Sequence, residues 1–318
     1  MKICMIVGGK LPLPPQGWGG VEATVWNYMK ELKSRGHEVL ITNTGNLKKV
    51  IETVNDWQPD FVHLQYDVWA DIMPHINSPV KAMTSHYPYL DYPSKRKDYE
   101  WIFHKFCKNH SHIFTLSELN STHFRSFGAK NSLLWTWKFG VDSKKFKFSN
   151  KVLFSDKTIS LGKIEPRKRQ AHLQNLKADI DFVGPVVDSR FNQEDSSYLG
   201  KWTREEVYEN LTNYPNLILF SDGEAAPQVT AEALVAGCGL VVSKEAIANL
   251  DTSLPFISVV DENINQKDLI NIVKENRINS IKYRSEIREY GIETFDLKNC
   301  VSRYIEKIKQ LKDYHDSI

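Results

Sequence analysis

Glu224 and Glu232 flank Pro227 and the amides of Gln228, Val229 and Thr230. Pro227 suits the first turn of a helix, where a missing N–H costs nothing. The N–H groups of the next three residues are then free to face an anion. Glu232 falls on the otherwise apolar helical stretch 229–235, so its carboxylate is expected to be partly buried. Such a group needs hydroxyl or amide donors. A ribose supplies them, and so does neighbouring backbone.

A second set of charges precedes it in Gly162-Lys163-Ile164-Glu165-Pro166-Arg167-Lys168-Arg169. A strand ends at the glycine, and Lys163 and Lys168 surround the next helix start. Cations there oppose the helix dipole, which is easier to explain if they serve a bound anion such as a pyrophosphate. A solvated basic turn is the plainer alternative. His86 stands just past the carboxyl end of a predicted strand, where open α/β sheets bind ligands; a structural histidine is the alternative there. Gly19 and Gly20 open the first helix. Either their backbone approaches an anion, or the turn needs positive φ. The loop is not G-x-G-x-x-G, and Leu40-Ile41-Thr42-Asn43-Thr44 has no acidic residue to hold a nicotinamide ribose. His104, Cys107, His110 and His112 match no tetrahedral spacing, so no metal site is expected.

These residues need a scaffold. Short apolar runs at 2–7, 38–42, 61–65, 80–85, 112–116 and 133–137 alternate with amphipathic stretches. In Gly20–Ser34, for example, Val21, Val25, Tyr28, Met29 and Leu32 share a face. The alternation resumes after the lysine-rich segment 143–151, with strands predicted at 158–161, 180–183, 198–201, 216–220, 240–243 and 256–260. Thr203 to Glu206 forms a T-x-x-E capping box. From 268 onward the pattern is helical, with a break predicted at Tyr290-Gly291. This is an α/β chain of two doubly wound Rossmann-like domains, residues 1–148 and 149–318, expected to face each other across a cleft.

The length of 318 residues suits two domains of ~150 residues each. A net charge of +2 argues against a nucleic-acid-binding protein. The basic runs 95–97, 144–147 and 167–169 read first as solvated faces. Cys4, Cys107, Cys238 and Cys300 form no C-x-x-C pair, as expected for reduced thiols in a cytoplasmic chain. The N-terminal apolar run is too short for a signal peptide, so none is expected, and no stretch reaches the ~20 apolar residues of a membrane span. The basic patches and aromatic content leave peripheral membrane contact open.

In order and spacing, these features resemble the GT-B-fold retaining glycosyltransferases of the glycosyl transferases group 1 family, over nearly the whole chain. P-Q-G-W-G-G-V-E at 15–22 resembles the family's glycine loop, and K-S-R-G-H-E-V at 33–39 its L-x-x-R-G-H-E-V stretch. Thr84-Ser85-His86 resembles T-x-H. Phe139-Gly140-Val141-Asp142 with Phe146 resembles the N-G-V-D-x-x-x-F before the interdomain hinge. Gly162-Lys163 with Lys168 resembles the G-R…K pair. Glu224 and Glu232 resemble the paired glutamates, and Glu232-Ala233-Leu234 with Gly237 resembles E-A-x-A-x-G.

The resemblance implies a metal-independent, retaining hexosyltransferase of glycan biosynthesis. Its donor would be a nucleoside-diphosphate-sugar, with no further cofactor, and its acceptor a glycan, lipid-linked or small-molecule hydroxyl. Gly19 and Gly20 would approach the donor phosphates. Lys163 and Lys168 would hold the pyrophosphate. Glu224 and His86 would contact the donor sugar. The Pro227–Thr230 segment would cap a phosphate through the amides of Gln228, Val229 and Thr230, and Glu232 would bind ribose. The last helix, residues 297–314, would pack back onto the N-terminal domain. Three features depart from the pattern. Lys163 replaces an arginine fork with a point charge, Ala225-Ala226-Pro227 replaces a G-F-G-like stretch, and the chain is short, which implies reduced acceptor-binding insertions. A GT-B-like nucleotide-sugar epimerase and a silent sugar-nucleotide-binding protein are the competing readings.

Overall fold

A computed structural model of the chain describes residues 1–17 and 19–317, with the backbone alone at Lys97. Trp18 of the glycine loop therefore lies outside the described residues. The chain forms two compact units, one of Met1–Gly140 with Leu297–Ile318 and one of Val141–Asp296.

The first unit contains β1 (Lys2–Val7), α1 (Gly20–Ser34), β2 (Glu38–Asn43), α2 (Leu47–Trp57), β3 (Phe61–Leu64), β4 (Val80–Met83), α3 (Pro93–Arg96), α4 (Trp101–Lys108), β5 (His112–Thr115), α5 (Glu118–Ser126) and β6 (Leu134–Thr136). All six strands are parallel, in the order β2-β1-β3-β4-β5-β6. Local chemistry sets the helix starts. The side chain of Asn46 accepts from Lys49 N–H ahead of α2, and Ser117 accepts from Asn120 N–H ahead of α5.

The second unit contains β7 (Thr158–Leu161), α6 (Gln170–Asn175), β8 (Ile180–Val183), α7 (Arg204–Asn210), β9 (Asn216–Leu219), α8 (Gln228–Val235), β10 (Gly239–Ser243), β11 (Ile257–Val260), α9 (Gln266–Lys282) and α10 (Arg284–Phe295). Its parallel sheet runs β11-β10-β9-β7-β8. Side chains alternate across the sheet. Leu217 and Leu219 join the core beneath α8 and α10, while Ile218 and Phe220 join the core on the opposite face. Thr203 and Glu206 make the expected reciprocal capping box.

The final helix, α11 (Leu297–Asp316), belongs to the first unit. Leu297, Cys300, Val301, Tyr304, Ile305, Ile308 and Leu311 are its buried face. The Tyr304 ring lies among Phe61, Phe114 and Trp137, and its hydroxyl meets His63 Nδ1 at 2.9 Å.

Some expectations are corrected. Residues 198–201 form no strand; Tyr198 makes a single bridge to Phe182, and Gly200, at φ +80°, accepts from Gly184 N–H at 2.9 Å. The tail breaks at Tyr283 and Asp296, not at Tyr290-Gly291. Gly291 sits inside α10, where a Cβ would come 2.6 Å from the Leu234 carbonyl carbon. The glycine lets two helices touch and does not end one. Arg96 is no solvated cation. It is 8% exposed, packs over the Phe103 and Phe127 rings and pairs with Glu100. Among the described residues, no helix is long and apolar enough to cross a membrane.

Candidate functional site

In the second unit the strand order reverses between β7 and β9, and the candidate residues follow the carboxyl ends of these strands. After β7, Gly162 takes φ +142°, and after β8, Gly184 takes φ +145°. A Cβ on Gly184 would lie 2.0 Å from the Gly162 carbonyl oxygen, so the two backbones meet because Gly184 has no side chain. The Lys168 ammonium stands over this turn, 3.1 Å from where a Gly162 Cβ would be. Lys163 is half-exposed, 3.6 Å from Glu165 Oε2.

Arg167, absent from the sequence-derived set, organises the site. Its guanidinium reaches Glu165 Oε1 at 2.7 Å and Glu224 Oε1 at 2.9 Å, and donates to Ser221 Oγ and the Gly223 carbonyl. Burial opposes its charge, yet Glu224 and Glu165 more than offset this and raise its pKa. Glu224 is thereby pinned beside the turn that carries Lys168, with a side chain only 11% exposed.

Pro227 is the N-cap of α8 and not its first helical residue. Its carbonyl accepts from Thr230 Oγ1 at 2.7 Å and from Thr230 N–H at 3.3 Å. Thr230 therefore leaves the expected set of free amides, and Gln228 and Val229 keep theirs. Glu232 is 4% exposed and receives Arg204 Nη2 at 2.6 Å. Burial opposes the Arg204 charge, but Glu232 raises its pKa well above the usual value. The signal for Arg204 was in the sequence. An arginine in a first helical turn opposes the dipole and asks for a carboxylate.

In the first unit the sheet has the same reversal, between β1 and β3. Neither Gly19 nor Gly20 has positive φ, so the turn-geometry reading of these glycines fails. Gly19 caps α1, and a Cβ there would strike Glu22 and Leu11. Gly20 faces open space, so packing does not demand a glycine there. His86 follows β4. Its Nε2 lies 2.8 Å from Gln65 Oε1 and its ring stacks on Phe139. Burial lowers its pKa to about 4, so it is a neutral imidazole near pH 7. Beside it Ser85 donates to Asp67 Oδ2 at 2.6 Å; burial raises the Asp67 pKa against that bond. Gln65 and Asp67 escape sequence reading because only the adjacency of β3 and β4 brings them to His86 and Ser85.

No described group of three His, Cys, Asp or Glu residues could hold a metal ion. His112 lies on β5 with its ring against His315, away from any such set.

No protein-family model matches the chain, and no curated protein matches it. Solved structures do. The chain is similar to HepE from Anabaena in complex with UDP and glucose, with 14% identity, a TM-score of 0.73, and coverage of 98% of this chain and 100% of that one. It is similar to sucrose-phosphate synthase from Thermosynechococcus elongatus, with 14% identity, a TM-score of 0.76, and coverage of 98% and 99%. It is also similar to the lipopolysaccharide outer core galactosyltransferase WaaB, with 13% identity, a TM-score of 0.70, and coverage of 98% and 99%. The chain thus has the fold of these glycosyltransferases, two Rossmann-like units with parallel sheets of six and five strands.

Proposed function

We propose that this protein is a glycosyltransferase that moves a hexose-type sugar from a nucleoside-diphosphate-sugar to an acceptor hydroxyl, with retention at the anomeric carbon. The observation that carries the reading is the array in the second unit. Lys168 stands over Gly162, Arg167 pins Glu224, the Gln228 and Val229 amides find no acceptor among the described residues at the start of α8, and Arg204 holds Glu232. Cations and free amides suit a diphosphate, and the glutamates suit the hydroxyls of sugar and ribose.

In this reading the acceptor oxygen attacks the anomeric carbon as the bond to the β-phosphate oxygen breaks. The bonding electrons leave with the diphosphate, which takes up the acceptor's proton. Lys163, Lys168 and the α8 amides stabilise the charge that develops on the leaving group. No metal is assigned a role. Glu224 orients the sugar and Glu232 the ribose. In the first unit, the backbone at Gly19 and Gly20 would approach phosphate, and neutral His86 would contact the sugar as a hydrogen-bonding group. HepE was solved with UDP and with UDP-glucose, which makes uridine donors the first to try. The acceptor is a glycan, a lipid-linked sugar or a small molecule.

The test is a thermal-shift screen of UDP, GDP, ADP and TDP with their sugars, each in EDTA, because ligands of the native state raise the melting temperature. The expected result is a shift with one diphosphate that survives EDTA, followed by acceptor-dependent release of that diphosphate. NMR of the product should show the donor's anomeric configuration. No shift with any diphosphate overturns the donor site, and an inverted product overturns retention.

A further inference from the structure

Two histidines of the first unit belong to the neighbouring strands β3 and β4, and they are satisfied differently. His63 lies within β3 and is fully buried. The Thr84 hydroxyl donates to the Phe114 carbonyl at 2.7 Å, so it can only accept from His63 Nε2, 2.8 Å away. The His63 proton is therefore on Nε2, and Nδ1 accepts from the Tyr304 hydroxyl at 2.9 Å. Both ring nitrogens are paired, as a packed core requires.

His86 is paired at one nitrogen only. Gln65 directly follows β3. Its backbone N–H donates to the Ile6 carbonyl at 2.8 Å, and Thr84 N–H donates to the Leu64 carbonyl at 2.9 Å, so the ladder continues up to this point. Gln65 Oε1 lies 2.8 Å from His86 Nε2. A carbonyl only accepts, so the single proton of the neutral ring belongs on Nε2. Nδ1 then carries a lone pair, and it has no hydrogen-bond partner among the described residues. The ring plane is held by Phe139, stacked at 5.6 Å and 15°, and by Trp137, which meets it edge-on.

Packing alone does not call for a glutamine at position 65. The side chain is 3% exposed, and its Nε2 is buried without a hydrogen-bond partner. Methionine or leucine has a similar volume and no donor to leave unpaired. The one hydrogen bond that the amide makes among the described residues is to His86. A glutamate there would favour the imidazolium, whereas burial keeps His86 neutral near pH 7.

We infer that Gln65 is a positioning residue, which fixes the Nε2–H tautomer of His86 and so offers Nδ1 as a hydrogen-bond acceptor to a hydroxyl of the donor sugar. The sugar contact rests on the transferase reading above; the tautomer does not.

The test is a two-bond proton–nitrogen correlation spectrum near pH 7 of wild type, Q65M and H86Q carrying isotope-labelled histidine. H86Q identifies the His86 signals by their loss. In wild type, His86 should show a protonated, pyrrole-type Nε2 and a bare, pyridine-type Nδ1. His63 should show that pattern in wild type and Q65M alike, because its partners are Thr84 and Tyr304. In Q65M the two His86 nitrogen shifts should move toward each other as the tautomers mix. With a nucleotide-sugar that wild type turns over, Q65M should lose at least ~threefold in kcat/KM, as expected for one neutral hydrogen bond, with affinity for the free diphosphate unchanged. Should Q65M fail to fold, the wild-type spectrum still decides the tautomer, and Q65L replaces Q65M. If the tautomer is as stated but no nucleotide-sugar is turned over, the transferase reading fails and the positioning by Gln65 stands. The proposal is overturned by an Nδ1–H tautomer in wild type, which the reverse orientation of the Gln65 amide would give. It is also overturned by unchanged His86 shifts in Q65M, or by a loss of turnover no larger than the loss of diphosphate affinity.

Discussion

Arg204 Nη2 lies 2.6 Å from Glu232 Oε1, so the first residue of α7 holds a carboxylate in the middle of α8. Replacing Arg204 by Met leaves that buried carboxylate without its cation. The cost is discounted because Arg204 itself is 43% exposed; about 1–3 kcal/mol of stability should be lost. Nucleoside diphosphate affinity should fall as well, since Glu232 is freed to adopt other rotamers. Chemical denaturation and calorimetry check both effects, and an R204M protein with unchanged stability refutes the buried-pair argument.

Lys168→Ala should weaken nucleoside diphosphate binding by roughly tenfold or more, the worth of one charge-assisted hydrogen bond. The readout is the dissociation constant and not the turnover alone. A K168A protein that binds the diphosphate like wild type would refute the pyrophosphate role of this lysine.

Burial lowers the pKa of both His86 and His112 to about 4. Their unfolded-state values lie near 6.5, so between about pH 6.5 and 4 the unfolded chain binds more protons than the native one. The stability they contribute is complete above pH 6.5 and is lost as pH falls toward 4. Wild type should therefore lose more stability between pH 7.5 and 5 than a His112→Gln variant does. Activity should show no break near pH 6.5 assignable to His86.

Gly291→Ala tests a conflict between local and tertiary terms. Helix propensity alone favours alanine by about 1 kcal/mol. The added Cβ, however, would lie 2.6 Å from backbone of α8. The clash should win, with a net destabilisation of about 1–3 kcal/mol. A stabilised G291A protein would show that α10 moves freely off α8.

Legibility followed the range of the interactions. Parallel strands buried on both faces write themselves as continuous apolar runs, and α1 has the bounds its periodicity predicts. Breaks inside the helical tail were not readable, because the glycine that resembles a stop is a packing device and the real stops fall at Tyr283 and Asp296. In the candidate site, the glutamates and lysines stand out by spacing. Their partners do not: Arg167 meets Glu224 and Arg204 meets Glu232 only after strands and helices have been brought together. Residues 198–201 have a strand's composition, but beside β8 they form only one bridge, at Tyr198.

The first unit is assembled from both ends of the described chain, with the second unit inserted as one continuous stretch. On a ribosome the middle can therefore finish before the beginning. Until α11 emerges, Phe61, Phe114 and Trp137 lack the Tyr304 ring that packs among them, and His63 Nδ1 lacks its hydroxyl partner. Residues 1–140 thus lack part of their aromatic core until α11 is made, a state that invites chaperone capture. Its completion waits for α11 to leave the tunnel.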